Sequence, residues 1–172
     1  MRIYIVGPGG SGKSTLAQKL SSHYQIPVIH LDELQWKDGW LENEDYCTRQ
    51  AEVVRMNDWI IEGSSVSILK IMKERVDRVV ILNFSPLGNI TRILQRFIKQ
   101  IFFGEKRIGW SAKDMNGLRL EFLVNTMRWR TRQLPRIRTN IEYLALDDRV
   151  LEFNKSPKKV FEMVCREIDN HH

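Results

Sequence analysis

The chain has 172 residues, 42% of them hydrophobic and 28% charged, with a formal net charge of +6. That balance excludes a disordered or fibrous chain and suits one globular domain with a core of its own. No apolar run reaches the ~20 residues of a membrane-spanning helix, and the N-terminus opens on a strand-like segment rather than a secretion leader, so a cytoplasmic protein with no membrane partner is predicted.

Along the chain, short apolar runs rich in β-branched residues alternate with helical patterns. Residues 2–6, 28–31, 59–62, 79–84 and 141–146 read as five strands, and stretches near 13–24, 44–57, 65–75, 87–103, 116–138 and 157–169 read as helices. Ser156 as N-cap and Pro157 at the first helical position mark the start of the last helix. Strand-helix alternation of this kind predicts a three-layer α/β/α fold with a parallel sheet, whose ligands gather at the carboxyl ends of the strands. A single domain over 1–172 is expected, in which 97–138 forms a basic, helical, lid-like insertion between the fourth and fifth strands.

Between the first strand and the first helix stands Gly7-Pro8-Gly9-Gly10-Ser11-Gly12-Lys13-Ser14, a match to G-x-x-x-x-G-K-[ST] in the context its chemistry requires. Glycines let the backbone turn its N–H groups inward, and the positive end of the following helix reinforces that anion-binding nest. Gly9, Gly10 and Gly12 serve the turn. Lys13 brings a point charge to the outer phosphates, the Ser14 hydroxyl suits Mg2+, and Thr15 is expected on the inner phosphate. A nucleoside triphosphate, ATP, with Mg2+ is therefore the predicted ligand.

Asp32 is expected to end the second strand and Glu62 the third, which would bring both carboxylates to the edge that carries the phosphate loop. A carboxylate there can direct the metal or accept a proton from an attacking hydroxyl. Asn83 closes the fourth strand where an acid might have been sought. His30, alone in a strand, reads as a packed or hydrogen-bonded core residue. Trp36 and Trp40 are read equally as pocket walls and as core plugs. Cys47 and Cys165, far apart and without metal-ligand spacing, are expected to be reduced structural thiols.

The positive charge is concentrated. Residues 89–138 hold 12 Lys and Arg against 3 Asp and Glu, while the remaining 15 basic residues face 18 acidic ones. Arg92 and Arg96 are one helical turn apart and share a face. Arg128, Arg132 and Arg136 repeat the four-residue spacing on a segment whose other side is apolar, so a solvated basic face is an equal reading of them. Pro135 is expected to break or kink that helix.

The phosphate loop, together with His30-Leu-Asp-Glu-Leu-Gln-Trp36, Gly39-Trp40, Trp59-Ile-Ile-Glu-Gly63, and Pro86 followed by Arg92 and Arg96, resembles the adenylate-kinase-like P-loop kinases. Within that group the sequence is most similar to proteins labelled DNA topology modulation proteins, over residues 1–100 and more loosely at the end. The resemblance implies a sheet order of 2-3-1-4-5 and a magnesium-directing acid at Glu62. It further implies a base-stacking arginine at Arg92 and a phosphate-clamping arginine at Arg96. Nucleotide monophosphate kinases of the group continue the third strand into Asp-Gly-Phe-Pro-Arg, whereas here Glu62-Gly-Ser-Ser-Val66 follows, without the arginine that grips an acceptor phosphate.

The function expected is a phosphotransferase moving the γ-phosphoryl group of ATP to a small acceptor such as a nucleoside or nucleotide, with Lys13, Asp32 and Arg96 as catalytic candidates. The alternative is a nucleotide-dependent regulator that binds DNA through 89–138, although no nucleic-acid-binding module is evident. A GTPase switch lacks its base-reading Asn-Lys-x-Asp. Monomer and dimer are both open.

Overall fold

The computed structural model describes residues 1–37, 41–103, 120–155 and 159–170. Strand β1 (Arg2–Val6) buries Ile3 and Ile5 on one face and Tyr4 and Val6 on the other. A strand apolar on both faces has to be covered on both, the condition met by a parallel sheet between two helix layers. Strands β2 (Val28–His30), β3 (Trp36–Lys37), β4 (Leu41–Glu42), β5 (Trp59–Gly63), β6 (Arg78–Leu82) and β7 (Val150–Phe153) follow. Five of them form the parallel sheet β2-β5-β1-β6-β7, which counted along the sheet strands alone is the expected order 2-3-1-4-5.

The helices are α1 (Lys13–Tyr24), α2 (Leu31–Gln35), α3 (Tyr46–Arg55), α4 (Ser67–Met72), α5 (Pro86–Phe103), α6 (Leu120–Tyr143) and α7 (Val160–Asp169). On one side of the sheet, Leu16, Ala17 and Leu20 of α1 and Val160, Val164 and Ile168 of α7 pack on Ile3, Ile5, Ile60, Val80 and Leu82. On the other, α4 contributes Ile68, Leu69 and Met72, and α6 contributes Trp129, Leu134, Ile137 and Ile141, against Tyr4, Val6, Ile61 and Ile81. Each large aliphatic side chain fully removed from water in these two cores contributes about 1.5–3 kcal/mol.

Three sequence expectations are corrected. Residues 141–146 are not the fifth strand: α6 runs on to Tyr143, and the strand is β7. The apolar spacing Leu134, Ile137, Ile141 is helical and fully packed, and this burial carries the helix through Pro135, which sits exposed within it. The second strand stops at His30, so Asp32 lies in the first turn of α2 rather than at a strand end. The antiparallel ribbon of β3 and β4 was not foreseen.

Of the basic interval, residues 104–119 lie outside the described residues, as do Gly39, Trp40, Ser156 and Pro157. Cys47 and Cys165 are free thiols. Among the described residues, no helix is long and apolar enough to cross a membrane.

Candidate active site

The carboxyl ends of β2, β5 and β1 lie side by side, and register then decides which side chains meet. Ile5 of β1 pairs with Glu62 of β5, and His30 of β2 pairs with the same Glu62. Parallel pairing thus brings residues 30 and 62 together at the end where the chain leaves β1 for the phosphate loop.

The loop turns where glycine permits. Ser11 N–H donates to the Pro8 carbonyl at 3.3 Å, closing a four-residue turn, and Gly10, its third residue, has φ +70°. Gly12 has φ +89° and stands as the N-cap of α1, a left-handed conformation that costs other residues about 1–2 kcal/mol. Gly9 has no such φ; it is close approach that confines it, since a Cβ there would stand 2.4 Å from the Phe122 ring and 2.9 Å from the Thr126 hydroxyl of α6.

Helix α1 begins with no side-chain cap and no acidic residue in its first turn. The first N–H groups of a helix have no partner within it, and its dipole is positive there, so this terminus suits an anion. A Cβ added at Gly12 would meet nothing within 4 Å, so among the described residues there is room at the mouth of the loop. Lys13 Nζ donates to the Pro8 carbonyl at 3.1 Å, which keeps the ammonium folded over the turn.

In the first turn of α1, Ser14 Oγ donates to Glu62 Oε1 at 3.1 Å, and His30 Nδ1 lies 2.7 Å from that same oxygen. Glu62 is buried, with 7% of its surface exposed. Burial pushes its carboxyl upward, but the His30 hydrogen bond, the Lys13 charge and the Ser14 hydroxyl outweigh it and hold the group below its ordinary value. His30 moves the other way: its hydrogen bond to Glu62 raises it against a smaller opposing effect of burial. The two shifts have one shared cause, the short His30–Glu62 contact, which lies beside a hydroxyl.

Two neighbouring oxygens, a carboxylate and a hydroxyl, suit a magnesium ion. Among the described residues no three His, Cys, Asp or Glu side chains converge into a metal cage. Mg2+ needs none, since it keeps several waters and takes one or two protein oxygens with the substrate phosphates.

Asp32 is exposed at the start of α2, two residues beyond His30, and its charge contributes to raising that imidazole. Arg92 of α5 donates Nε to the Gly10 carbonyl at 2.7 Å, and its Nη2 donates to Asn89 Oδ1. Arg96 follows one turn later with an exposed side chain. Asn83, just past β6, donates Nδ2 to Glu152 Oε1 at 2.8 Å and receives two bonds from Arg130 of α6, at 2.9 Å on Oδ1 and 2.8 Å on its carbonyl. Arg138 completes the chain on Glu152 at 2.8 Å. Arg128, Arg132 and Arg136 are exposed.

Sequence reasoning places the loop, Ser14 and Glu62 at one sheet edge, as found, and reads His30 as a packed or hydrogen-bonded core residue without its Glu62 partner; it misses Asn89, Phe122 and Thr126 against the loop. The His30 contact follows from the β2-β5 register, which no local pattern encodes.

No family model matches the chain. Among solved structures, it is similar to a shikimate kinase from Acinetobacter baumannii in complex with shikimate, at 18% identity and a TM-score of 0.63 over 99% of this chain and 93% of that one. A shikimate kinase from Aquifex aeolicus aligns at 18% identity and TM-score 0.51 over 99% and 98%. An uncharacterized protein from Eubacterium ventriosum aligns at 17% and 0.55 over 98% and 99%. At these identities the likeness shows the fold alone, an α/β fold with a five-stranded parallel sheet in the order 2-3-1-4-5. It lends no support to the DNA topology modulation group in particular.

Proposed function

We propose that this protein is a P-loop kinase that transfers the γ-phosphoryl group of ATP to a small acceptor carrying a hydroxyl or phosphate. The observation that carries this reading is Ser14 Oγ bonded to Glu62 Oε1 at 3.1 Å beside the uncapped start of α1. An anion site and a pair of metal-binding oxygens are adjacent there, as a magnesium-triphosphate needs.

In this reading the loop Gly7 to Gly12, with Ser14 and Thr15, binds the phosphates through hydroxyls and the backbone N–H groups of its residues other than Pro8. Lys13 swings its ammonium from the Pro8 carbonyl to the β and γ oxygens. Ser14 and Glu62 would hold Mg2+, with His30 orienting the carboxylate; the ion would supply charge neutralisation on the phosphates. Asp32 accepts the proton of the attacking acceptor hydroxyl, and Arg96 stabilises charge on the group in flight. Phosphoryl transfer asks little else of a protein beyond positioning. The solved relatives named as shikimate kinases support a small hydroxylated acceptor and put shikimate among those to try.

The test is a screen of labelled ATP against nucleosides, nucleotides, shikimate and other small hydroxylated metabolites, with Lys13→Ala beside the wild type. Labelled product from the wild type alone supports the kinase; no transfer to any acceptor overturns it.

One observation favours a second reading, a nucleotide-dependent nucleic-acid-binding protein: Arg128, Arg132 and Arg136 stand exposed at successive turns of α6. Such binding would weaken steeply with salt, and no affinity for oligonucleotides at about 50 mM salt would remove it.

A further inference from the structure

The turn that opens the phosphate loop is held from outside by α5. Arg92 Nε donates to the Gly10 carbonyl at 2.7 Å, and Nη2 of the same guanidinium donates to Asn89 Oδ1. Asn89 is fully buried, and its Nδ2 donates to the Phe84 carbonyl at 3.3 Å, so both ends of the amide are engaged and its orientation is fixed. The guanidinium carbon lies 5.9 Å from the centre of the Phe84 ring, within reach of a cation-π contact. The backbone is close as well: a Cβ at Gly10 would stand 2.4 Å from the Asn89 carbonyl oxygen.

A trans peptide is a rigid plane whose C=O and N–H point in opposite directions. Gripping the Gly10 carbonyl therefore also aims the Ser11 N–H, which donates to Pro8 O and closes the turn leading into the uncapped start of α1. Nε and one terminal nitrogen of Arg92 are both engaged by this contact. A lysine could supply the charge but not two donors in that fixed fork.

We propose that Arg92, oriented by Asn89, is a positioning residue that holds the Gly10–Ser11 peptide, so that triphosphate affinity depends on Arg92 through the loop and not through the base. The inference rests on the nucleotide-binding reading given above. It separates from a base-stacking role in one respect: a residue that shapes the loop serves every polyphosphate, with or without a base.

Calorimetric titration of the wild type, Arg92→Ala and Arg92→Lys with Mg-ATP and with magnesium tripolyphosphate makes the distinction. Both variants are expected to lose about tenfold in affinity for both ligands, the scale of one charge-assisted hydrogen bond. A loss confined to ATP, or a lysine variant that matches the wild type, overturns the proposal and leaves the nucleotide-binding reading intact. If the wild type binds neither ligand while remaining folded, that reading fails and the proposal with it. Amide hydrogen exchange at Ser11 in the ligand-free protein gives a second readout. It is expected to quicken in both variants while exchange in the core strand β1 stays unchanged, and an unaltered Ser11 rate overturns the proposal.

Discussion

His30 and Ser14 share one acceptor: the imidazole Nδ1 and the hydroxyl both meet Oε1 of Glu62, at 2.7 and 3.1 Å. The carboxylate is thereby fixed in direction, as the proposed metal-holding role requires. Replacing His30 with alanine should weaken the response to Mg2+ by about 10–100-fold, the usual cost of losing a group that orients a metal ligand. The check is the Mg2+ concentration giving half-maximal ATP binding. An unchanged value would mean that His30 only fills space.

The two left-handed glycines of the loop differ in their surroundings, and alanine should tell them apart. Gly12→Ala meets open space and should cost about 1–2 kcal/mol of backbone strain. Gly10→Ala drives a methyl into the Asn89 carbonyl, a backbone atom that cannot step aside, and should cost about 1–3 kcal/mol more. Denaturant unfolding of the two variants measures the difference, and equal stabilities would contradict it.

At the opposite end of the sheet, Arg2 Nη2 bonds Asp77 Oδ1 at 2.8 Å, and the Arg2 backbone N–H bonds Oδ2 at 2.7 Å. Burial raises the Asp77 carboxyl, but the Arg2 side chain and backbone outweigh it, and its folded value lies below the ordinary one. The contribution to stability is therefore complete above the unfolded value of about 4 and is lost as pH falls through the lower folded value. Asp77→Asn should flatten the stability profile in that acid window and leave its slope near neutrality unchanged. Urea midpoints taken from pH 2 to 7 provide the comparison.

Asn83 and Arg130 join the end of β6 to α6 through two hydrogen bonds. Arg130 is exposed and its bonds to Asn83 are part-buried, so Arg130→Ala should cost about 1–2 kcal/mol, less than a fully buried charged contact would. The pair Arg138–Glu152, with its arginine exposed and its glutamate half-buried, should contribute about 0–1 kcal/mol. A double-mutant cycle on residues 83 and 130 should return a coupling of about 1 kcal/mol or more. A coupling near zero would show the contact to be incidental.

Much of the site could be read in advance because its pieces are local. The spacing Gly7, Gly12, Lys13, Ser14 lies within eight residues, and a strand before it and a helix after it are visible in β1 and α1. Glu62 could be placed because a continuous apolar run ended beside it. What stayed hidden is long-range: Phe122 and Thr126 reach Gly9 from more than a hundred positions away, and Asn83 finds Arg130 only once α6 crosses the sheet edge. The fifth strand was misplaced for a different reason. Residues 141–146 carry apolar side chains that suit either period, and Pro135 suggested a break or kink in the helix before them. Packing of Ile137 and Ile141 into the core decided otherwise. β7 escaped notice because it is four residues long and contains Glu152, whose carboxylate is matched by Asn83 and Arg138.

Gly63 ends β5 with its Cα pressed so near Leu31 that an added Cβ would lie 2.8 Å from both Cβ and Cδ1 of that side chain. Leu31 opens α2 and is buried, so a methyl group at 63 would lift the start of that helix outward. Asp32 is the next residue along and would travel with it, while Glu62 stayed anchored in its strand. One missing methyl group thus sets how closely the start of α2 can lie against the end of β5. Even the smallest enlargement at position 63 would shift Asp32 relative to Glu62.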